Sequence, residues 1–199
     1  MSNNRFKFKT WIAFLMVVLF CTSCAIVMAE GQAPRDPKKQ TSIGKYITSK
    51  EAYEKWKAAP DKIKIIDCRT TEEYAFVGHA PMAFNIPSKL WTGKWDPEKK
   101  QYVMPDNPDF EVQAKAKFKP DEALAVMCRS GHRSSASIER LAKIGFTNVY
   151  NITDGFEGDM IKDEESYFNG KRMINGWKNS GAPWTYTLDP ERVYIIPAQ

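Results

Sequence analysis

The chain has 199 residues, of which 43% are apolar and 27% charged, and a formal net charge of +5. These proportions exclude a collagen-like, a wholly disordered and a polytopic membrane chain, and the length suits one domain with a sizeable extension. Arg5, Lys7 and Lys9 lie near the N-terminus with no acid before Glu30; taking these three from the 29 basic residues leaves 26 against 24 acids, too even a balance for a nucleic-acid-binding surface.

Residues 1–29 read as an export signal or N-terminal anchor. A basic stretch leads into uninterrupted apolar sequence from Trp11 to Phe20, and small residues follow as far as Ala29. Val27 and Ala29 suit a cleavage site. Cys24 as a lipid-attachment site, or an uncut span of about 20 residues, are the alternatives. Each outcome predicts a periplasmic or otherwise exported protein, held at a membrane only by an uncleaved or lipidated N-terminus. Cys21 and Cys24 fall inside this segment, which leaves Cys68 and Cys128 in the mature chain. With His79 and His132 the only histidines, there is no zinc-site spacing, and neither metal nor cofactor is predicted.

Residues 30–45, polar and containing Pro34 and Pro37, read as a linker or an ordered arm. Thr48 with Glu51 is a capping-box pattern, and Ala52, Tyr53, Trp56 and Ala59 recur at helical spacing until Pro60. Ile63, Ile65 and Ile66 predict a short buried strand ending in Asp67-Cys68-Arg69. Thr70 with Glu73 repeats the capping signature for a short helix ended by Gly78. Residues 83–86 predict a weak second strand closed by Pro87. Residues 88–120 are rich in Trp, Lys, Pro and Asp and read as an insertion packed on the core. Residues 124–127 predict a third strand running into Cys128, residues 135–143 a helix stopped by Gly145, and residues 149–152 a fourth strand. Apolar strands alternating with helices imply a parallel sheet covered on both faces, a doubly wound α/β fold.

Cys128-Arg129-Ser130-Gly131-His132-Arg133-Ser134 falls between a predicted strand and a predicted helix, where ligands bind in parallel α/β sheets. Backbone N–H groups in such a turn can converge on an anion, and Gly131 lets the chain turn tightly. A thiol reacts as thiolate, so helix N-terminus, Arg129 and Arg133 together predict an activated Cys128 that could carry a second sulfur as a persulfide.

The order of several segments resembles the rhodanese sulfurtransferases over roughly residues 46–184. Ile65-Ile66-Asp67-Cys68-Arg69 is similar to that family's D-x-R signature, and Glu72-Glu73-Tyr74, Gly78-His79-Ala80 and Asn85-Ile86-Pro87 to its next three segments. Residues 128–134 match its active loop. Asp154-Gly155-Phe156 resembles its glycine turn, and Gly176-Trp177 to Pro183 its terminal element. The resemblance implies a rhodanese domain over residues 46–187, with insertions at 88–120 and 158–175 and a C-terminal tail at 188–199. It also implies transfer of sulfane sulfur through a Cys128 persulfide, from thiosulfate or a related small anionic donor to a thiol or cyanide acceptor. Arg129, Ser130, Gly131, His132, Arg133 and Ser134 would bind the donor, and Asp67 and Arg69 would brace the fold beneath them. His79 and Cys68 read as structural, with a Cys68 to Cys128 disulfide as the other reading for an oxidising compartment. Phosphatase chemistry is disfavoured because Arg133 stands five positions after Cys128 where that chemistry places Arg six after. The competing function is a persulfide carrier that docks to an exported redox or sulfur-carrier protein without turnover.

Overall fold

The computed structural model describes residues 31–195. The export-signal reading of residues 1–29 therefore lies outside the described residues, as does the end of the tail. Within them no helix is long and apolar enough to cross a membrane.

Five strands form one parallel sheet in the order β1-β7-β6-β2-β3: β1 Tyr46–Ile47, β2 Lys64–Asp67, β3 Phe84–Asn85, β6 Leu124–Met127 and β7 Val149–Ile152. Residues in β2 and β6 alternate between two cores because successive strand side chains point to opposite faces. Ile65, Ala125 and Met127 join Ala52, Tyr150, Phe156 and Trp177 on one face. Ile66, Val126, Cys68 and Cys128 join Phe110, Ala114, Ile138 and Leu141 on the other. Both faces are apolar, which is why these strands read as continuous hydrophobic runs.

Helix α1, Ser49–Ala58, covers the first face, and its Thr48/Glu51 capping box forms as the spacing predicts. Helix α2, Thr71–Phe76, starts from a second capping box made by Thr70 and Glu73. Helix α3, Phe110–Lys117, and helix α4, His132–Lys143, cover the second face. Full burial of Ile138 and Leu141 on α4 contributes about 1.5–3 kcal/mol each.

Three features depart from the sequence reading. β1 is a fifth strand at the sheet edge, too short for periodicity to reveal. The 88–120 insertion contains α3 and a two-stranded hairpin of β4, Trp95–Asp96, and β5, Gln101–Tyr102. Helix α4 begins at His132, three residues before the apolar pattern does, because its first turn buries the small polar residues Ser134 and Ser135 instead.

The segments on either side of residues 46–187 pack against the sheet and α4. Residues 31–45 form an arm packed on the domain: Gly31 N donates to Tyr46 O (3.0 Å), Ser42 Oγ donates to Glu139 (2.8 Å), and a 3-10 turn at Pro37–Lys39 packs on α4. At the other end, Asn85 N donates to Arg192 O (2.8 Å), so the tail shields the β3 edge. Each end supplies partners to backbone groups that a sheet edge would otherwise leave open.

Candidate active site

Residues 128–131 connect β6 to α4 at the carboxyl end of the sheet, and residues 132–134 form the first turn of that helix. Gly131 adopts φ 93°, and a Cβ there would lie 2.2 Å from Thr153 O, so only glycine fits. Behind the loop, Gly155 approaches so closely that its own Cβ would meet Cys128 O and Ser130 N at 2.6 Å. That contact lets Phe156 N donate to Cys128 O (2.8 Å) and Glu157 N to Arg129 O (3.0 Å). With these two carbonyls pulled to the rear, Gly131 N donates to Cys128 Sγ at 3.2 Å. The amides of Arg129, Ser130, His132 and Arg133 have no hydrogen-bond partner among the described residues. A loop with this many unpaired N–H groups around a buried cysteine can serve as an anion cradle.

Cys128 is 1% exposed and forms the floor of the cradle. Ser134 Oγ lies 3.6 Å from its sulfur and 2.6 Å from Asn151 Oδ1. Asn151 donates its two amide hydrogens to Lys39 O (2.7 Å) and Gly131 O (3.1 Å), so Oδ1 must face Ser134 and takes the single hydroxyl proton. Ser134 thus orients the loop through Asn151. Asn151 went unread in the sequence, although a polar residue inside an apolar strand is a visible signal.

The glycine turn is itself anchored from two directions. Asp154 Oδ1 accepts from Ser49 N (2.8 Å) and Ser49 Oγ (2.9 Å), and its Oδ2 accepts from Gly176 N (2.9 Å). Trp177 N donates to Gly155 O (2.9 Å), so the start of α1 and the Gly176-Trp177 element meet at the same turn.

Asp67 and Arg69 form a buried ion pair. Arg69 Nη2 donates to Asp67 Oδ2 (2.6 Å) and to Gly78 O (2.7 Å), with both side chains fully buried. Its guanidinium stacks 4.0 Å from the centroid of Phe156, the residue whose N–H holds Cys128 O. His79 is also structural: Nδ1 bonds Tyr74 O (3.0 Å), and the rings stack at 3.7 Å.

Of the side chains expected to bind a donor beside Arg129, Arg133 and His132 have carboxylate partners. Arg133 makes two 2.6 Å bonds to Glu73, a bidentate pair joining the loop to α2. The carboxylate occupies its fork, so in this structure Arg133 braces the loop against α2. Burial works to raise the pKa of Glu73, but the Arg133 bonds and charge hold it below the ordinary carboxylate value. His132 Nε2 lies 2.7 Å from Asp36 Oδ2 on the arm. Its hydrogen bond with His132, followed by that from Lys38 N, lowers the pKa of Asp36. Glu73 was legible only as a cap, and Asp36 carried no signal at all.

Arg129 does face the mouth. It lines a cleft of about 430 Å³ with Asp36, Lys39, Met160, Lys162 and Arg172. It also lines a second cleft of about 680 Å³ that shares Met160 and Arg172. The 158–175 insertion therefore flanks the loop. Cys68 and Cys128 are both free thiols in one core, so the disulfide reading does not describe this structure. Among the described residues no group of His, Cys, Asp or Glu is gathered to hold a metal ion.

A five-stranded parallel sheet ending in a cysteine-centred loop, with its glycine turn and buried Asp-Arg pair, defines an α/β domain with a candidate nucleophile at the strand ends. The rhodanese-like domain profile matches residues 49–160, and the chain belongs to that family. It is 30% identical over 142 residues to an uncharacterized protein of Rickettsia rickettsii, covering 70% of this chain and 96% of that one. It is 33% identical over 93 residues to thiosulfate sulfurtransferase 16 of Arabidopsis thaliana, covering 47% and 70%. The crystal structure of Rv0390 from M. tuberculosis superposes with a TM-score of 0.55 at 26% identity, covering 71% of this chain and 96% of that one.

Proposed function

We propose that the protein is a thiosulfate sulfurtransferase working through a Cys128 persulfide. The observation that carries this reading is the Cys128 loop, whose Gly131 N lies 3.2 Å from the sulfur and whose Arg129, Ser130, His132 and Arg133 amides have no partner among the described residues. The donor's anionic group binds these amides and Arg129. Cys128 thiolate attacks the outer sulfur of thiosulfate; the sulfur–sulfur bond of the donor breaks, and sulfite leaves with the electron pair. The persulfide anion stays solvated by the amides, which stabilise negative charge as an oxyanion hole does. A thiol or cyanide then attacks the outer sulfur, and Cys128 leaves as thiolate. Every electron pair comes from donor, acceptor or cysteine. Export to the periplasm, and an exported redox or sulfur-carrier protein as acceptor, belong to the same reading and rest on residues 1–29.

Intact mass before and after thiosulfate tests the first half-reaction, and thiocyanate release with cyanide tests the second. One added sulfur per chain and steady release are expected, both absent in Cys128→Ser. Retained turnover in that variant sinks the reading. Loading without repeated turnover would identify a carrier instead.

A further inference from the structure

A compact sulfur donor needs only the loop, its amides and Arg129, yet the mouth of the site extends well beyond them. The two clefts share Arg129 and Arg172, and Cys128 lines neither. Lys162 and Lys39 add two more cations to the smaller cleft.

The acids there are largely committed. Asp36 bonds His132, and Asp159 accepts from Lys39 Nζ (3.5 Å) and Asn175 Nδ2 (3.0 Å). Glu157 lines the larger cleft without an ion pair. Among the described residues Arg129, Arg172 and Lys162 make no ion pair either. Arg172 uses its side chain on Gly158 O alone (2.6 Å), which ties the insertion to its own base and leaves the rest of the guanidinium toward the cleft. Burial first, and the positive charge of Arg129 second, lower the pKa of Arg172. Two like charges held together beside a reactive sulfur repel each other until an anion sits between them.

We propose that Arg129 and Arg172, assisted by Lys162, bind the carboxylate of a small thiol acceptor and so make the enzyme prefer anionic thiols to neutral ones. The inference rests on the sulfur-transfer reading above. The acceptor thiolate attacks the outer sulfur of the Cys128 persulfide; a new sulfur–sulfur bond forms, the bond to Cys128 Sγ breaks, and its electron pair remains on Cys128 as thiolate. The product is the acceptor persulfide. Its carboxylate, a few bonds from the reacting sulfur, reaches sideways into the cleft while the sulfur lies over the loop. The guanidinium fork matches carboxylate geometry, which is why two arginines are better suited to this place than lysines alone.

The experiment compares 3-mercaptopropionate with its amide as acceptors for thiosulfate-loaded protein. The wild type should favour the carboxylate relative to the Arg172→Gln variant by roughly tenfold in kcat/KM, the size of one lost charge-assisted contact. Arg172→Lys should recover part of that preference, and Arg129→Gln should lose it as well. Turnover with cyanide and one-sulfur loading should stay within about twofold in Arg172→Gln, since both need only the loop; this also shows that the variant is folded. An acceptor ratio unchanged by Arg172→Gln while loading persists would overturn the carboxylate site and leave the sulfur-transfer reading standing. Failure of wild-type loading would instead strike that reading itself.

Discussion

Strands β2 and β6 lie side by side with Asp67 level with Met127, and each leads into a cysteine, an arginine and a hydroxyl residue before a helix begins. Both cysteines are buried on the α4 side of the sheet. After β2 the amides find acceptors at once: Cys68 N donates to Met127 O (2.8 Å), Arg69 N to Asp67 Oδ1 (3.1 Å) and Thr70 N to Glu73 Oε2 (3.1 Å). After β6 one more residue intervenes, Gly131, and the Arg129 and Ser130 amides have no acceptor among the described residues. Burial, then the nearby charge of Cys128, push the Cys68 thiol well above its ordinary pKa. What separates an inert cysteine from a candidate nucleophile here is the fate of neighbouring N–H groups, since the residue type and its depth are the same in both.

Removing the glycine should erase this contrast and give the largest effect. In Gly131→Ala the new methyl meets Thr153 O at a positive φ, so the loop must refold; we expect one-sulfur loading to slow at least tenfold, read by intact mass against time. Loading at the wild-type rate would show that the amide arrangement is not what activates Cys128.

Breaking the brace rather than the cradle should matter less. Glu73→Gln leaves the partly buried Arg133 without its carboxylate, costing about 1–3 kcal/mol after allowance for the pair's partial exposure, seen as a lower Tm. The pair also predicts a pH dependence. Because the folded-state pKa of Glu73 is held below the unfolded value near 4.5, its contribution is fully present above 4.5 and is lost as pH falls through the lower folded value. Thermal melts from pH 6 down to 3 should therefore fall more steeply for the wild type than for Glu73→Gln.

The smallest effect belongs to the other cysteine. Cys68→Ala should load sulfur at the wild-type rate within about twofold and lose only about 1–2 kcal/mol, a drop of a few degrees in Tm. If loading collapses in that variant, the two strand ends are coupled chemically and the contrast between them fails.

Much of the sheet was legible because β2, β6 and β7 are buried on both faces and so appear as apolar runs of strand length. The two capping boxes were legible because a Thr and a Glu three residues apart satisfy each other's backbone locally. Edge strand β1 was hidden, since two residues cannot display a period. Helix α3 was hidden for a different reason: Phe110 and Ala114 are its only buried residues, and lysines fill much of the rest.

For the site, the chain by itself determined the reactive unit: Cys128, the glycine that permits the turn, and the strand and helix on either side, all within a few residues and governed by local backbone geometry. Only the tertiary structure decided which charges reach it. Glu73, 60 residues from Arg133, takes that arginine's fork; the Asp36 carboxylate, 96 residues from His132, takes its ring; and Arg172 comes to the mouth from the insertion. Ion pairs depend on distance in space, and that distance is set by how the sheet, the arm and the insertion pack, which no local pattern encodes.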